Sequence, residues 1–223
     1  MKSRRLFFAA LLPVVLGGQA KPAAPSVAQK RAALRDPAAS FWKAKAPDTV
    51  VADVETSRGT FTIQLIRDWA PHGVDRFYNL ARAGYYDDSR FYRMLAGYIA
   101  QWGIAGNGTI ASLWARQKIP ADSARQKNTR GTISFAQNKP SDRATDVFIN
   151  LQDNPPLDST GFTPIGRVLT GMEVVDSLYF GYSDVPVMPE PLGHPRRLYS
   201  EGNKYLDAEF PKLSRLVRIT IRR

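Results

Sequence analysis

Between residues 90 and 170 the apolar residues come in short runs, each ended by glycine, proline, asparagine or aspartate. Among these runs are RFYRML, GYIAQWG, GTISFAQ, DVFINL and TPIGRVL, which contain many aromatic and β-branched residues. Runs of this length and composition are typical of β-strands, because an amphipathic helix needs a longer apolar stripe. We therefore predict that the middle of the chain folds as many short strands.

A hairpin and two helices frame these strands. Residues 49–68 alternate apolar and polar side chains around a Ser-Arg-Gly turn, which predicts a β-hairpin. Residues 72–83 place their apolar side chains at helical spacing and are followed by Gly84, and residues 171–181 repeat that spacing. The order of hairpin, helix, many strands and helix predicts a mainly β fold, a closed antiparallel barrel with a helix over each open end.

The first twenty residues, MKSRRLFFAALLPVVLGGQA, have the pattern of a secretory signal peptide. A basic start leads into the apolar residues 6–16 and then into the small residues of a cleavage site. A helix that spans a membrane needs about 20 apolar residues, so we predict a cleaved signal, an exported chain in the periplasm or outside the cell, and no transmembrane segment in the mature protein. An uncleaved N-terminal anchor is the alternative.

Residues 21–47 lie between this signal and the predicted barrel. Residues 21–34 are rich in alanine, proline and basic residues, which predicts a flexible lead. Asp36 is then a candidate N-cap, with a proline directly after it and Pro47 as a stop. We therefore predict a short helix that carries Phe41 and Trp42 against the barrel.

The chain has no cysteine and two histidines, His72 and His194. Disulfides, thiolate metal sites and a cysteine nucleophile are therefore excluded. Neither histidine has a partner at metal-ligand spacing, so we predict no metal and no cofactor. The formal net charge is +11, and its densest groups, residues 194–197 and 215–223, resemble no nucleic-acid-binding motif. We expect nonspecific attraction to polyanions and no specific nucleic-acid partner.

Four ordered blocks carry a resemblance to a known family. RFYRMLAGYIAQWG, residues 90–103, holds F-Y-R, G-Y and Q-W-G in register with a signature F-[HY]-R, G-F and Q-G-G. Residues 131–137, 145–151 and 157–168 are similar to three further blocks of the same family. Residues 48–182 thus resemble a cyclophilin, a peptidyl-prolyl cis–trans isomerase that folds as an eight-stranded barrel capped by two helices.

The resemblance implies that Arg93 is catalytic. Rotation of the amide before proline breaks its resonance against a barrier of ~18–20 kcal/mol. In the twisted state the proline nitrogen regains a lone pair, so a donor aimed at it stabilises the transition state more than either planar state. Arginine suits this role because its guanidinium stays charged and holds its donors in one plane.

The resemblance also implies the remaining site residues. Gln101 would orient Arg93, as a second catalytic residue, and Tyr92 takes the place that histidine usually holds. The substrate-binding residues it implies are Tyr92, Tyr98, Ile99, Ala136, Gln137, Phe148, Leu157 and Phe162, with Phe148 as the floor of a proline pocket. The expected partners are proline-containing segments of unfolded or folding exported proteins, bound by a monomer without a metal.

Each assignment has a plainer alternative. Ile99, Phe148 and Leu157 would be buried in almost any barrel, and Gln101 could merely satisfy backbone groups. For Arg93 the alternative is an ion pair with a nearby acid such as Asp87 or Asp88.

Several residues depart from the family pattern. Tyr98 replaces phenylalanine, Trp102 replaces glycine, and Asp146 stands at the customary glutamine, where it could pair with Arg93 or favour a basic peptide. Pro156 stands where many members carry tryptophan, which puts strong cyclosporin binding in doubt. The departures leave a second function open, a noncatalytic module that holds proline peptides in the same groove.

The last forty residues predict an extension rather than a second domain. The proline-rich segment 186–202 predicts a surface loop, and residues 203–210 predict a short helix stopped by Pro211. LVRITI alternates like a strand and resembles the last strand of a cyclophilin barrel. We therefore predict one domain from 48 to 223, in which residues 183–223 form a C-terminal extension that ends in the closing strand.

Overall fold

The computed structural model describes residues 25–189, 193 and 195–222, so the predicted signal peptide lies outside the described residues. Nine antiparallel strands form one sheet in this part of the chain. The strands are Thr49–Thr56 (β1), Gly59–Ile66 (β2), Ser89–Arg90 (β3), Arg93–Leu95 (β4), Ile99–Trp102 (β5), Thr132–Phe135 (β6), Val147–Asn150 (β7), Pro164–Thr170 (β8) and Arg215–Ile221 (β9). The α-helices are Val27–Arg35 (α1), Pro71–Ala83 (α2), Gly108–Trp114 (α3), Pro155–Ser159 (α4), Met172–Asp176 (α5), Pro195–Glu201 (α6) and Asn203–Glu209 (α7).

The order of the strands closes the sheet into a barrel. It runs β3-β9-β1-β2-β8-β6-β7-β5-β4. Only Phe91 and Tyr92 separate β3 from β4 along the chain, so both ends of the sheet lie on one run of residues, 89–95. Nine strands with this run counted once make the eight strands that the sequence analysis predicts.

The predicted hairpin and first helix are confirmed. β1 and β2 pair from Thr49↔Ile66 to Thr56↔Gly59, and the alternation of β2 turns Phe61, Ile63 and Leu65 into the core. α2 buries its apolar face beneath the barrel and ends at Gly84, whose φ of 75° is the left-handed conformation that glycine adopts readily.

The second predicted helix is shorter than the sequence indicates. α5 ends at Asp176, although the helical spacing continues through Leu178 and Tyr179. The chain leaves the helix because the backbone N–H of Tyr179 donates to Ser214 Oγ at 2.9 Å, which ties it to the residue before β9. Leu178 is still buried, so the apolar pattern reports burial here and not helix length.

The N-terminal segment is more ordered than predicted. Residues 27–34, predicted as part of a flexible lead, lie in α1, which begins with a capping box between Ser26 and Gln29. Asp36 ends this helix and is not an N-cap. A short 3₁₀ turn, Ser40–Lys43, replaces the predicted α-helix, and Trp42 packs edge-on against Trp114 with ring centroids 4.3 Å apart.

The C-terminal extension contains a helix that the sequence analysis misses. Part of the predicted surface loop 186–202 is α6, which packs on α3, where Ser112 Oγ donates to the carbonyl of Tyr199 at 3.0 Å. α7 confirms the second predicted helix, and β9 confirms the closing strand by pairing with β1 and β3.

The loop between α3 and β6 is fastened by a buried ion pair. Asp122 accepts hydrogen bonds from the backbone N–H groups of His72 and Gly73, both at 2.9 Å, at the start of α2. It also pairs with Arg143 at 3.0 Å, and each of these two side chains is 2% exposed. The guanidinium of Arg143 donates in addition to the carbonyl of Pro120.

Candidate active site

Three neighbouring strands bring the central residues of the site into one row. Arg93 on β4 lies opposite Gln101 on β5, and Gln101 lies opposite Phe148 on β7. Residues directly opposed in neighbouring strands project from the same face of a sheet. The pairing register therefore places a guanidinium, an amide and an aromatic ring side by side.

A small apolar cluster, separate from the main core, surrounds Phe148. α4 supplies Leu157, and the loop after α4 supplies Phe162, whose ring meets that of Phe148 edge-on at 5.7 Å. The buried members of the cluster are Ile99, Phe148 and Leu157, and the partly exposed members are Leu95, Tyr98, Ala136 and Phe162. This cluster forms an apolar pocket of the kind that the sequence analysis predicts.

The row and the pocket open into one groove of about 600 Å³. Every site residue that the sequence analysis names lines this groove except Tyr92, which is buried behind Gln101. Gln137 is fixed at the rim, since its Nε2 donates to the carbonyl of Gly161 at 3.0 Å. The lining also includes Ala115, Lys118, Asn138, Asp142, Ala144, Asp146 and Tyr199, of which the sequence analysis singles out only Asp146.

Arg93 is held by an amide and not by an acid. Its Nη1 donates to Gln101 Oε1 at 3.2 Å. Within the described ranges no carboxylate lies within 4.0 Å of its guanidinium, and Asp88 pairs with Arg90 instead, at 3.0 Å. The carboxylate of Asp87 accepts from the backbone of Ile219. The alternative of an Arg93 ion pair with Asp87 or Asp88 is therefore wrong, and the guanidinium keeps donors for a ligand.

Behind Gln101 the hydrogen bonds continue through three more side chains. Gln101 Nε2 donates to the Tyr92 hydroxyl at 2.6 Å, and that hydroxyl donates to Asp146 Oδ1 at 2.7 Å. The Tyr199 hydroxyl donates to Asp146 Oδ2 at 3.2 Å. We call the series Arg93, Gln101, Tyr92, Asp146 and Tyr199 the relay.

The charge on Asp146 is disfavoured by its surroundings. Burial raises the pKa of this carboxyl to about 6, although the hydrogen bonds from Tyr92 and Tyr199 act in the opposite direction. Burial also raises the pKa of Tyr92 well above its ordinary value, and the nearby carboxylate adds to that shift. Asp146 is thus the member of the relay whose charge changes near neutral pH, and it does not pair with Arg93.

Trp102 fills the space behind the site. It is fully buried, and its ring centroid lies 5.4 Å from that of Phe91. The next residue, Gly103, has a φ of 130°, and a Cβ there would lie 2.5 Å from the Asp146 Cα. Asp146 therefore passes close to a backbone position that tolerates only glycine.

The part of the chain that the structure describes holds no group of three or more histidine, cysteine or acidic side chains arranged to bind a metal ion. The same residues include no helix that is both long and apolar enough to cross a membrane.

Residues 51–190 match the sequence model of the family described as cyclophilin type peptidyl-prolyl cis-trans isomerase/CLD. The chain belongs to this family. The resemblance predicted from the four sequence blocks is therefore confirmed, and so is peptidyl-prolyl cis–trans isomerase activity as the chemistry of this cyclophilin.

Relatives from distant organisms agree with this membership. A peptidyl-prolyl cis-trans isomerase-like 1 of Rhizopus delemar is 34% identical over 125 residues, which cover 55% of this chain and 75% of the relative. A peptidyl-prolyl cis-trans isomerase A of Dickeya dadantii is 33% identical over 133 residues, which cover 55% of this chain and 67% of the relative.

Solved structures agree on the fold. A cyclophilin type peptidyl-prolyl cis-trans isomerase of Cryptosporidium parvum matches 78% of this chain and 98% of its own, with a TM-score of 0.55 and 18% identity. A cyclophilin of Hirschia baltica matches 79% of this chain and 75% of its own, with a TM-score of 0.54 and 18% identity. At this identity the match concerns the fold alone, which is the barrel predicted from the sequence.

Proposed function

We propose that this cyclophilin isomerises Xaa-Pro bonds in exported proteins, with Arg93 as the donor to the twisted proline nitrogen. The observation that carries the catalytic part is the row of Arg93, Gln101 and Phe148 along one face of three paired strands. It sets a fixed cation beside an apolar pocket, which is the arrangement that a proline ring and its nitrogen require.

The mechanism follows from the two ends of the row. A proline ring seated against Phe148 leaves its nitrogen next to the guanidinium, and extended peptide backbone would pair with the chain at Ala136 and Gln137. Since Gln101 Oε1 already accepts one donor of Arg93, the plane of the guanidinium is fixed while its other donors stay available. The apolar pocket excludes water and so strengthens the bond to the developing lone pair.

The donor accounts for part of the rate. A hydrogen bond to a charged group contributes about 1.5–3 kcal/mol net, and each ~1.4 kcal/mol is a factor of ten in rate. Arg93 therefore accounts for about one to two powers of ten, and selective binding of the twisted peptide in the pocket supplies the remainder. No nucleophile takes part in this scheme.

The experiment that tests this proposal is cis-to-trans exchange of a capped Xaa-Pro peptide, measured by NMR exchange spectroscopy. For Arg93→Ala we expect kcat/KM to fall at least about tenfold, because the charged donor is lost. Arg93→Lys is the matched control. It keeps the charge without the planar fork, so we expect activity between wild type and alanine.

Two results would contradict the proposal. Arg93→Ala with full activity would remove arginine from the mechanism. Peptide line-broadening without faster exchange in the wild type would favour the second candidate, a noncatalytic module that holds proline peptides. The observations in favour of that candidate are the substitutions Tyr98, Trp102 and Asp146 around the groove.

The substrate class rests on the sequence of residues 1–20. Their basic start, apolar middle and small-residue end support export, and an exported isomerase meets proteins that fold after transport. The slow step it would accelerate is cis–trans exchange at proline, which takes on the order of tens of seconds or longer without a catalyst.

A further inference from the structure

The relay has a fixed direction, because its members differ in what they can donate. Arg93 only donates, so Gln101 must offer it the amide oxygen. The amide nitrogen of Gln101 then faces Tyr92, whose hydroxyl accepts this bond at 2.6 Å and donates its own single O–H hydrogen bond to Asp146. An ionised Asp146 only accepts hydrogen bonds, so Tyr92 must donate to it and Gln101 must donate to Tyr92. This arrangement leaves the Gln101 oxygen free to accept from Arg93.

We propose that Asp146 and Tyr199 are positioning residues of the isomerisation: the Asp146 carboxylate, itself held by Tyr199, accepts the hydrogen bond of the Tyr92 hydroxyl and thereby holds the Gln101 oxygen toward Arg93. The inference deepens the proposed function and rests on Arg93 being the catalytic donor. Both residues line the groove, but in this scheme they act on Arg93 through Tyr92 and Gln101 and not on the proline nitrogen directly.

Protonation of Asp146 disturbs the direction of the relay. A proton on Oδ1 makes that oxygen a donor to Tyr92, so the Tyr92 proton turns toward Gln101. The amide must then rotate to present its oxygen to Tyr92, which leaves its nitrogen facing the guanidinium, donor against donor. A proton on Oδ2 removes the negative charge that holds the Tyr92 proton. Either way the bond between Arg93 and Gln101 weakens.

The other groups around Asp146 keep their charge state while it titrates. Tyr92 and Tyr199 bond to it directly, and burial raises the pKa of Tyr92, while Asp146 itself is the main cause of the raised pKa of Tyr199. Burial likewise raises the pKa of the neighbouring hydroxyls of Tyr85 and Tyr86. All four tyrosines therefore stay neutral across the range in which Asp146 changes.

Two further charged groups lie nearby in the part of the chain that the structure describes. Lys118 lies at the groove and favours the ionised form of Asp146 through its positive charge. It pairs at 3.1 Å with Asp142, and this contact lowers the pKa of Asp142, so that carboxyl stays ionised near neutral pH. Among the described groups that line the groove or contact Asp146, Asp146 is therefore the one to which a change of activity near pH 6 would be assigned.

Tyr199 reaches this site only through the extension. α6 carries it, and α6 is held on α3 by the bond from Ser112 Oγ to the carbonyl of Tyr199 itself. Its hydroxyl lowers the pKa of Asp146 and so keeps the carboxylate ionised. Through Tyr199 the C-terminal extension thereby contributes to the proposed positioning of Arg93. The extension lies far from the motif residues in sequence, so the sequence does not indicate this contribution.

The test is the pH profile of kcat/KM on a capped Xaa-Pro peptide without ionisable groups, from about pH 5 to 8, by exchange spectroscopy. For the wild type we expect activity to fall about two- to tenfold as the pH drops through about 6, the loss of one hydrogen bond. Asp146→Asn should show the low-pH activity at every pH. Tyr199→Phe should move the midpoint to higher pH, because the carboxylate loses a donor.

Asp87→Asn is the matched control. Asp87 is also a carboxyl whose pKa burial raises, but it bonds to the backbone of Ile219 and belongs to neither the groove nor the relay. We expect this variant to keep the wild-type profile. Circular dichroism at each pH verifies that every variant is folded.

A flat wild-type profile, or an Asp146→Asn profile equal to that of the wild type, would overturn the inference. If Asp146→Asn does not fold, the wild-type profile and Tyr199→Phe still decide. The Gln101 side-chain amide resonance, assigned by its loss in Gln101→Ala, should titrate with the same midpoint. Full activity in Arg93→Ala would instead contradict the proposed role of Arg93 as donor. Failure of that proposal and failure of the inference about Asp146 are therefore distinguishable.

Discussion

At the scale of single residues, Asp146 accepts the hydrogen bonds that order the relay, but burial of its charge destabilises the fold. Its carboxylate terminates the relay, yet the surrounding side chains leave it only partly exposed to the water that would stabilise its charge. Burial places the folded-state pKa at about 6, above the ordinary value of 3.8. Stability that this group contributes is therefore full below about pH 4 and is lost as the pH rises through about 6.

We therefore predict that Asp146→Asn changes how stability depends on pH. Relative to this variant, the free energy of unfolding of the wild type should decrease from about pH 4 to pH 6.5, measured by urea titration at several pH values. Asp75→Asn is the control of opposite sign. Asp75 pairs with Arg67 at 2.9 Å and its pKa is lowered, so its contribution should vanish as the pH falls. Parallel curves for wild type and Asp146→Asn would contradict this prediction.

Residues in the motif could be predicted, whereas the residue that completes the relay could not. Arg93, Gln101 and Phe148 stand at set spacings in blocks that resemble the family, so their common row follows from sequence. Tyr199 bonds to a partner 53 residues away, from a segment whose prolines and glycine favour a loop. No local pattern encodes that contact, because packing of α6 on α3 creates it.

At the scale of elements, capping residues predict where a helix begins better than the composition of the segment does. The capping box of α1, Ser26 with Gln29, is present in the sequence, although the alanine and proline around it favour a flexible lead. Conversely, the helical spacing after Met172 continues past the end of α5, since Tyr179 is drawn off by a bond to Ser214. Helix caps act within a few residues and can be recognised in the local sequence. Tertiary hydrogen bonds can override helical periodicity, and the local sequence does not show where they form.

The loop between α3 and β6 depends on one buried carboxylate, so its removal should be costly. For Asp122→Ala we predict a loss of about 3–5 kcal/mol in the free energy of unfolding, because Arg143 would stay buried without its partner. Asp68→Ala is the matched control. Asp68 also pairs with an arginine, Arg125, but both side chains are exposed, so the loss should stay below about 1 kcal/mol. Equal losses in urea unfolding would show that burial does not set the energetics of this pair.

At the scale of the whole molecule, the proposed export makes a prediction about where the mature chain begins. If residues 1–20 are a signal peptide, the protein recovered from outside the cytoplasm should start at Lys21. Intact-mass measurement of that fraction checks the cleavage, with a variant carrying Ala20→Arg as the control that should remain uncleaved. A recovered chain that still begins at Met1 would favour the uncleaved anchor.

The barrel closes on the run of residues 89–95, and this fixes when the barrel can be completed. β3 pairs only with β9 among the described strands, Ser89 with Leu216 and Arg90 with Arg215, and Arg93 follows within the same run. A chain emerging from the ribosome with its N-terminus first cannot form this seam until Arg215–Ile221 has also emerged. Contacts so distant in sequence form slowly. The run that carries Arg93, the proposed donor, is therefore joined to the sheet on both sides only once the last strand of the barrel has been added, because β4 pairs with β5 and β3 pairs with β9.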